Sequence, residues 1–344
     1  MAVALVTGVA GFIGSHLAAR LLAEGIGVRG IDDFDPYYDR SLKQRNLAPL
    51  RAEPGFQWQE GDLGSVPLAP LLAGVDVVYH LAARPGVRHS WGAPFADYVR
   101  INITATQRLL EALRETPVAR LVFASSSSVY GEQVGGETPE SATCLPISPY
   151  GVSKLAAEAL VRAYHASYGL PGIALRYFTV YGPRQRPDMA LHRFVRALLE
   201  DRELVLFGDG TQTRDFTYVD DVVAATLAAA RVGRPGMVYN IGGGSPASLN
   251  DLLAILERVT GRPPRVRREA RPAGDPQATR ADTRRAREEL AFQPTVSLEE
   301  GLRRMTGWMT ELLAGAAPEL ARPSGPTGVD HRPSGPTGAD HESD

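Results

Sequence analysis

The sequence predicts an α/β protein, a doubly wound parallel sheet with a smaller, discontinuous second lobe. Three observations carry this. Short apolar runs alternate with helical patterns through the first half, as βαβ units require when a parallel sheet is covered on both faces. Gly8, Gly11 and Gly14 stand between the first apolar run and the first helical segment, the Rossmann-type arrangement. After residue 182 the alternation lapses into Pro-rich loops and later amphipathic helices. The 344 residues suffice for one large core or two coupled lobes.

Taken in order, the strand candidates are "VALVT" (3–7), "GVRGID" (27–32), "FQWQEGDL" (56–63), "DVVYHLAA" (76–83) and "RLVFASS" (120–126), followed by "GIALRYFTVYG" (172–182). Segments such as "GSHLAARLLAEG" lie between them, with helical apolar spacing and a Gly stop. Residues 183–216 read as loops around one short helix, "LHRFVRALLE". "FTYVDDVVAATLAAA" and "MVYNIGG" return to the α/β pattern, and 248–312 reads as helices separated by the Arg/Pro-rich "GRPPRVRREARPAGDPQ". The expected division is 1–178 with 214–242 for the sheet domain, and 179–213 with 243–312 for the second lobe. From 313 a tail is expected to be disordered, because its tandem "RPSGPTGVDH" and "RPSGPTGADH" hold too little apolar surface to offset ordering.

Composition excludes several function classes. Net charge is −2 with both signs abundant, so no global field recruits nucleic acid or an anionic membrane. No apolar run approaches membrane-spanning length, and no signal peptide is evident. The single cysteine, Cys144, excludes an internal disulfide and a Cys-based zinc site and suits a reducing cytoplasm. No metal site is expected. Arg262, Arg265, Arg267 and Arg268 read as a local solvated patch.

The glycines open a helix directly after a strand. Gly8, Gly11 and Gly14, with Phe12 and Ile13 among them, allow a tight turn and close approach of backbone to a pyrophosphate at a helix N-terminus. Asp32 and Asp33 end the second run about 20 residues on, where an acid accepts from a ribose diol and repels a 2′-phosphate. That favours NAD over NADP. Asp62 belongs to the same sheet edge and reaches toward the adenine.

"ASSSSVYG" at 124–131 ends the fifth run in serines, and "SPYGVSK" at 148–154 places Tyr150 four residues before Lys154. Residues at that spacing share a helix face. A phenol with a pKa of ~10 is a poor base at neutral pH, and a nearby ammonium together with a positive nicotinamide favours the phenolate. With a hydroxyl from a strand end, such a set abstracts an alcohol proton while hydride leaves the same carbon.

These motifs, with "TGVAGFIGSH", "HLAA", "RYFTVYGPRQRPDMA", "GDGTQTRDFTYVDD" and "GDPQATRAD", resemble the extended short-chain dehydrogenase/reductases, in their nucleotide-sugar epimerase/dehydratase branch. The resemblance spans residues 1–310. It implies Ser126, four residues before Tyr130 of the V-Y-G motif, as catalytic serine, Tyr150 as base and Lys154 as its electrostatic partner and ribose ligand. It implies Asn102 beside the cofactor, together with Leu63, Leu81, Ala82 and Ala83, and a homodimer through packed helices. Dehydratases of the branch carry Asp-Glu after the catalytic serine, where this chain has Ser127 and Ser128, so oxidation and re-reduction at one carbon remain: a 4-epimerase.

For the substrate, a UDP-sugar, the resemblance implies Arg88, Arg214, Arg271 and Asp275 near the diphosphate and nucleoside. Thr179, followed seven residues later by Arg186, is similar to the pattern of UDP-glucuronate 4-epimerases, in which a hydroxyl and a guanidinium grip a C6 carboxylate and discourage its loss as CO₂. UDP-glucose is the alternative sugar. A net NAD-dependent dehydrogenase or reductase, and a non-catalytic sensor, are alternatives of another kind.

Overall fold

The computed structural model describes residues 2–320 apart from 134, 245 and 272, with side chains described to residue 315. The first half alternates β1 (Val3–Thr7), α1 (Phe12–Ala23), β2 (Gly27–Asp32), α2 (Arg40–Arg51), β3 (Phe56–Glu60), α3 (Leu68–Leu72) and β4 (Val77–His80). Then come α4 (Phe95–Tyr98), α5 (Ala105–Glu115), β5 (Arg120–Ser126), α6 (Pro149–Tyr168), β6 (Gly172–Tyr177) and the two-residue β7 (Val180–Tyr181). The second half holds α7 (Ala190–Leu199), β8 (Leu204–Phe207), β9 (Thr213–Asp215), β10 (Thr217–Tyr218), α8 (Val219–Val232) and β11 (Val238–Ile241). It ends with β12 (Pro246–Ser248), α9 (Leu249–Thr260), β13 (Val266–Glu269), α10 (Arg284–Leu290) and α11 (Leu298–Leu320).

Seven strands form the central sheet in the order β11-β6-β5-β4-β1-β2-β3, every pair parallel. The order reverses between β1 and β4, so a crevice opens beyond their carboxyl ends. Neighbouring residues on one strand face opposite layers. Val6 and Val122 join a core with Leu17 of α1 and Val222 of α8. Leu5 and Phe123 join a second core with Leu109 of α5 and Val161 of α6. This is the predicted α/β sheet with helices on both faces.

The later segments build small sheets, β8 with β13 in parallel and β9 with β12 antiparallel, against α7, α9 and α11. The Arg-rich stretch read as a loop therefore contains a strand. Arg267 is held by Glu203 at 2.8 Å and by Glu269, so its charges sit on an exposed edge instead of opposing the pairing.

The tail expected from 313 also needs correction. Helix α11 continues to Leu320, because Leu312 and Leu313 extend the apolar stripe of Met305 and Met309 onto the core. The tandem decapeptides lie outside the described residues.

Local signals place α6, which carries Tyr150 and Lys154. Ser148 caps α6 by accepting from the Gly151 N–H at 3.1 Å, Pro149 occupies its first turn, and Gly169 ends it at φ 68°, each in the position its chemistry favours.

Candidate active site

Two cavities meet above the sheet switch point. The first runs from the glycine loop to α6, and the second, about 710 Å³, extends from β5 toward the small lobe.

Gly8, Gly11, Phe12, Ile13 and Gly14 line the first cavity, as do Asp32, Asp33, Asp62, Leu63, Leu81, Ala82 and Ala83. Gly8 has φ 72°, and a Cβ on Gly14 would fall 2.2 Å from the Gly8 carbonyl oxygen. Gly11 caps α1 without a side-chain acceptor, leaving the first-turn N–H groups for an anion. A cradle that one methyl group would close fits a dinucleotide's pyrophosphate.

The two aspartates differ. Asp32 accepts from the Ala10 and Phe34 N–H groups at 3.1 and 2.9 Å and from the Lys43 ammonium at 3.3 Å. Its carboxylate is thus fixed by three donors. Among the described residues Asp33 accepts from Asp35 N–H alone, which leaves acceptor capacity for a diol, and burial raises its pKa. Lys43, buried on the inner face of α2 with Asn46 and Leu47, was not singled out from the sequence. A lysine on the apolar face of an amphipathic helix was the available signal.

Asn102 does not line the cavity. It sits in a π-helical turn, Val99–Thr104, a geometry that often marks functional sites. Its carboxamide accepts from Arg84 N–H at 2.7 Å and donates to the Arg84 carbonyl at 3.0 Å and the Ser153 hydroxyl at 2.9 Å. Ser153 in turn donates to the Tyr150 carbonyl at 2.8 Å. Asn102 therefore ties the cavity wall to α6.

Beside it, Thr106 donates to the Asn102 carbonyl at 2.7 Å and so can only accept from His80 Nε2, at 2.9 Å. That fixes the neutral Nε2–H tautomer, and Nδ1 accepts from Thr7 at 2.8 Å. Burial lowers the His80 pKa to about 3.

Tyr150 lines both cavities, Lys154 the first and Ser126 the second. Ser126 accepts from Ser128 N–H at 3.1 Å. The Tyr150 pKa lies above the ordinary phenol value because burial dominates, with a hydrogen bond from Ser126 and the Arg186 charge pulling it back. The lowering expected from the sequence invoked Lys154 together with a positively charged nicotinamide, so it concerns the cofactor-bound site. Lys154 is itself fully enclosed, its ammonium 4.4 Å from the Phe123 ring centroid, and burial lowers its pKa to about 7 against the pull of Glu158.

Ser127, Ser128, Thr179, Arg186, Arg88, Arg214 and Asp275 all line the second cavity. Arg88 stacks on Phe207 at 4.2 Å, and Arg214 pairs with Asp275. Arg193, also over Phe207 at 5.9 Å, was missed in the sequence. Arg271 does not line the cavity. Its guanidinium turns back onto the Asp275 carbonyl and the Gln277 side chain.

Arg186 lines both cavities. Burial opposes its charge, but Asp188, gripped through Nε and Nη2 at 3.0 and 3.1 Å, holds its pKa above the ordinary value. Tyr37 donates to Asp188 at 3.3 Å and contacts His89 at 3.0 Å. Neither Tyr37 nor Asp188 was singled out from the sequence. Both sit in loops, where no periodicity marks an inward-facing residue.

A dinucleotide cradle joined to a polyol-sized cavity through a Ser-Tyr-Lys set defines a nucleotide-dependent enzyme acting on an alcohol carbon. The chain belongs to the NAD dependent epimerase/dehydratase family, whose model matches residues 4–242. It is 46% identical over 315 residues to an uncharacterized UDP-glucose epimerase, YtcB, of Bacillus subtilis strain 168, covering 90% of this chain and 99% of that one. It is 40% identical over 312 residues to the UDP-glucuronate 4-epimerase of Thermodesulfobacterium geofontis, covering 89% and 96%. Among solved structures, the UDP-glucuronic acid 4-epimerase of Bacillus cereus in complex with UDP-glucuronic acid and NAD matches with TM-score 0.88 at 46% identity, covering 90% of this chain and 99% of that one.

Proposed function

We propose that the chain interconverts UDP-glucuronate and UDP-galacturonate by inverting C4 through a 4-keto intermediate. The observation that carries this is the junction of the cavities. Tyr150 and Arg186 line both cavities, which supports their acting where a sugar would meet a nicotinamide, with a cationic side chain toward the sugar. Relatives at 40% and 46% identity bear matching names or ligands.

In this reading Gly8, Gly11, Gly14, Asp33 and Lys154 hold NAD, with Lys43 fixing Asp32 behind them. Bound NAD supplies a hydride acceptor and, once reduced, a hydride donor. Tyr150, as the phenolate that a positively charged nicotinamide and Lys154 would favour, takes the C4 hydroxyl proton through the Ser126 hydroxyl and returns it to the ketone oxygen after the sugar has turned its other face to the cofactor. Ser127 and Ser128 carry no carboxyl group, so nothing at those positions drives the loss of water that a dehydratase needs. Thr179 and Arg186 receive the C6 carboxylate, while Arg88, Arg193 and Arg214 receive the diphosphate. Because Asp188 already neutralises Arg186, the carboxylate shares or exchanges that partner on binding.

The substrate lobe in this reading comprises 179–213 and 243–312. A homodimer fits the apolar residues that α6 and the neighbouring π-helical turn leave exposed, Val152 and Val99; sedimentation as a monomer removes that idea. No described helix is long and apolar enough to cross a membrane, and a cytoplasmic setting fits the lone Cys144.

A neutral sugar is the second reading, favoured by the name of the Bacillus subtilis relative. Separate incubation with UDP-glucuronate, UDP-glucose and UDP-N-acetylglucosamine, followed by NMR of C4 inversion, decides between them. UDP-glucuronate is expected to be fastest, and Arg186→Ala to cost it far more than any neutral sugar, because removing one partner of a buried charge pair is worth ~2–5 kcal/mol. Equal losses for all sugars sink the carboxylate assignment. Accumulation of NADH with product sinks the epimerase reading altogether.

A further inference from the structure

Behind the cofactor cavity lies another, of about 200 Å³, that the proposed reaction does not use. Its wall includes Tyr38, Arg45 and Asn46 at and before α2, Arg184 from the loop after β7, and Trp308 of α11. Among the described residues two guanidinium-bearing side chains line it, and no acidic one does. Neither Arg45 nor Arg184 lines the cofactor or sugar cavity, so this basic pair is separate from both diphosphate positions of the proposed reaction.

Arg184 is held there against its own preferences. Its backbone is left-handed at φ 63°, a conformation non-glycine residues seldom adopt. Its Nη1 is buried without a hydrogen-bond partner among the described residues. Burial lowers its pKa, and the acid that acts on it is Asp220. Asp220 lies 3.8 Å from His16 and is not within ion-pair distance of Arg184. Arg45, exposed at the cavity's edge, forms no ion pair among the described residues either. A buried donor left unsatisfied in a native fold calls for a partner, and a desolvated cation calls for a counter-charge.

We propose that this cavity is an anion site that takes a phosphate group, between the Arg184 and Arg45 guanidiniums with the Trp308 indole as a wall. The same tetrahedral, multiply charged chemistry is presented by free phosphate and by a phosphomonoester, and Arg suits either through paired N–H donors. The volume is several times the ~30 Å³ share of a water, so a phosphate fits with part of its hydration.

The test is calorimetry on the full-length protein saturated with NAD and UDP, which fill the other two phosphate-binding positions. Inorganic phosphate is titrated at constant ionic strength made up with chloride, and glycerol 3-phosphate is titrated in a parallel series. Saturable phosphate binding is expected, weakened about tenfold or more by Arg184→Met and by Arg45→Met, with turnover of the UDP-sugar unchanged in both. Binding of glycerol 3-phosphate as tight as that of phosphate assigns the site to phosphomonoesters, and its absence assigns it to the free ion. Arg184→Met is also expected to melt higher than wild type in chloride and to lose the phosphate-dependent rise in Tm, since it removes a part-buried cation whose Nη1 has no partner among the described residues. If that variant does not fold, the exposed Arg45→Met decides alone. Unchanged phosphate affinity in the variants, or no saturable binding to wild type, overturns the proposal.

Discussion

Glu158 is the residue whose removal the structure penalises most clearly. Its carboxylate, 1% exposed, accepts from Arg176 Nη2 at 2.6 Å and Nε at 3.0 Å and from the Ser125 hydroxyl at 2.6 Å. Arg176 Nη1 continues to the Tyr130 hydroxyl at 2.8 Å, which donates to Asn240 at 2.7 Å. Glu158→Ala leaves the guanidinium buried with two N–H groups unpaired. Breaking a buried pair from one side costs about 3–5 kcal/mol. A folded body of this length has an unfolding entropy of roughly 0.7 kcal/mol/K, so Tm is expected to fall by roughly 4–8 °C. Urea unfolding monitored by circular dichroism gives the free energy directly. The double variant Glu158→Leu with Arg176→Met removes both charges and is expected to recover most of the loss. Turnover should fall in the single variant beyond what unfolding explains, because Ser125 adjoins Ser126 and loses its anchor. A loss below about 1 kcal/mol would mean that the pair behaves as a solvated one and that the reasoning from burial is wrong.

Three further outcomes are expected. Gly14→Ala should abolish NAD binding measured by calorimetry, because its Cβ meets the Gly8 carbonyl at 2.2 Å; retained affinity refutes the cradle. His80 is neutral in the fold with a pKa of about 3 against 6.5 in the open chain, so the unfolded state alone takes up its proton between those values. Stability present above pH 6.5 is therefore lost progressively toward pH 3, and the urea midpoint should shift less with pH in His80→Gln than in wild type. Removing residues 321–344 should leave turnover unchanged. A cut at residue 311, which also removes the core residues Leu312 and Leu313, should lower Tm.

The central sheet was legible because each of its strands is a short apolar run closed by a turn or helix signal, and burial on both faces leaves little room for polar residues. The β8–β13 pair was not, since Val266–Glu269 carries two arginines and a glutamate and its pairing depends on a partner some 60 residues away. The glycines, Ser126, Tyr150 and Lys154 were readable as a constellation of residue types in order. Lys43, Tyr37, Asp188 and Arg193 were not, because tertiary folding alone brings their segments to the cavities. The burial that raises the Tyr150 pKa was not legible for a related reason. Sequence spacing gives Lys154 as a neighbour but does not reveal that Lys154 is enclosed, so that burial lowers its pKa to about 7.

The pairing of β6 with β11 has a consequence for synthesis. Strand β6 is complete at Tyr177, yet its outer neighbour begins only at Val238. As the chain leaves the ribosome, one edge of an otherwise finished parallel sheet stays open while some 60 further residues emerge. Ile173 and Leu175, both wholly covered in the finished protein, lie along that edge, which can template pairing with another nascent chain. Slow translation through residues 178–237 would therefore lengthen the interval of greatest aggregation risk, and fragments ending within it would accumulate as insoluble material although they contain the whole glycine loop and every member of the Ser-Tyr-Lys set.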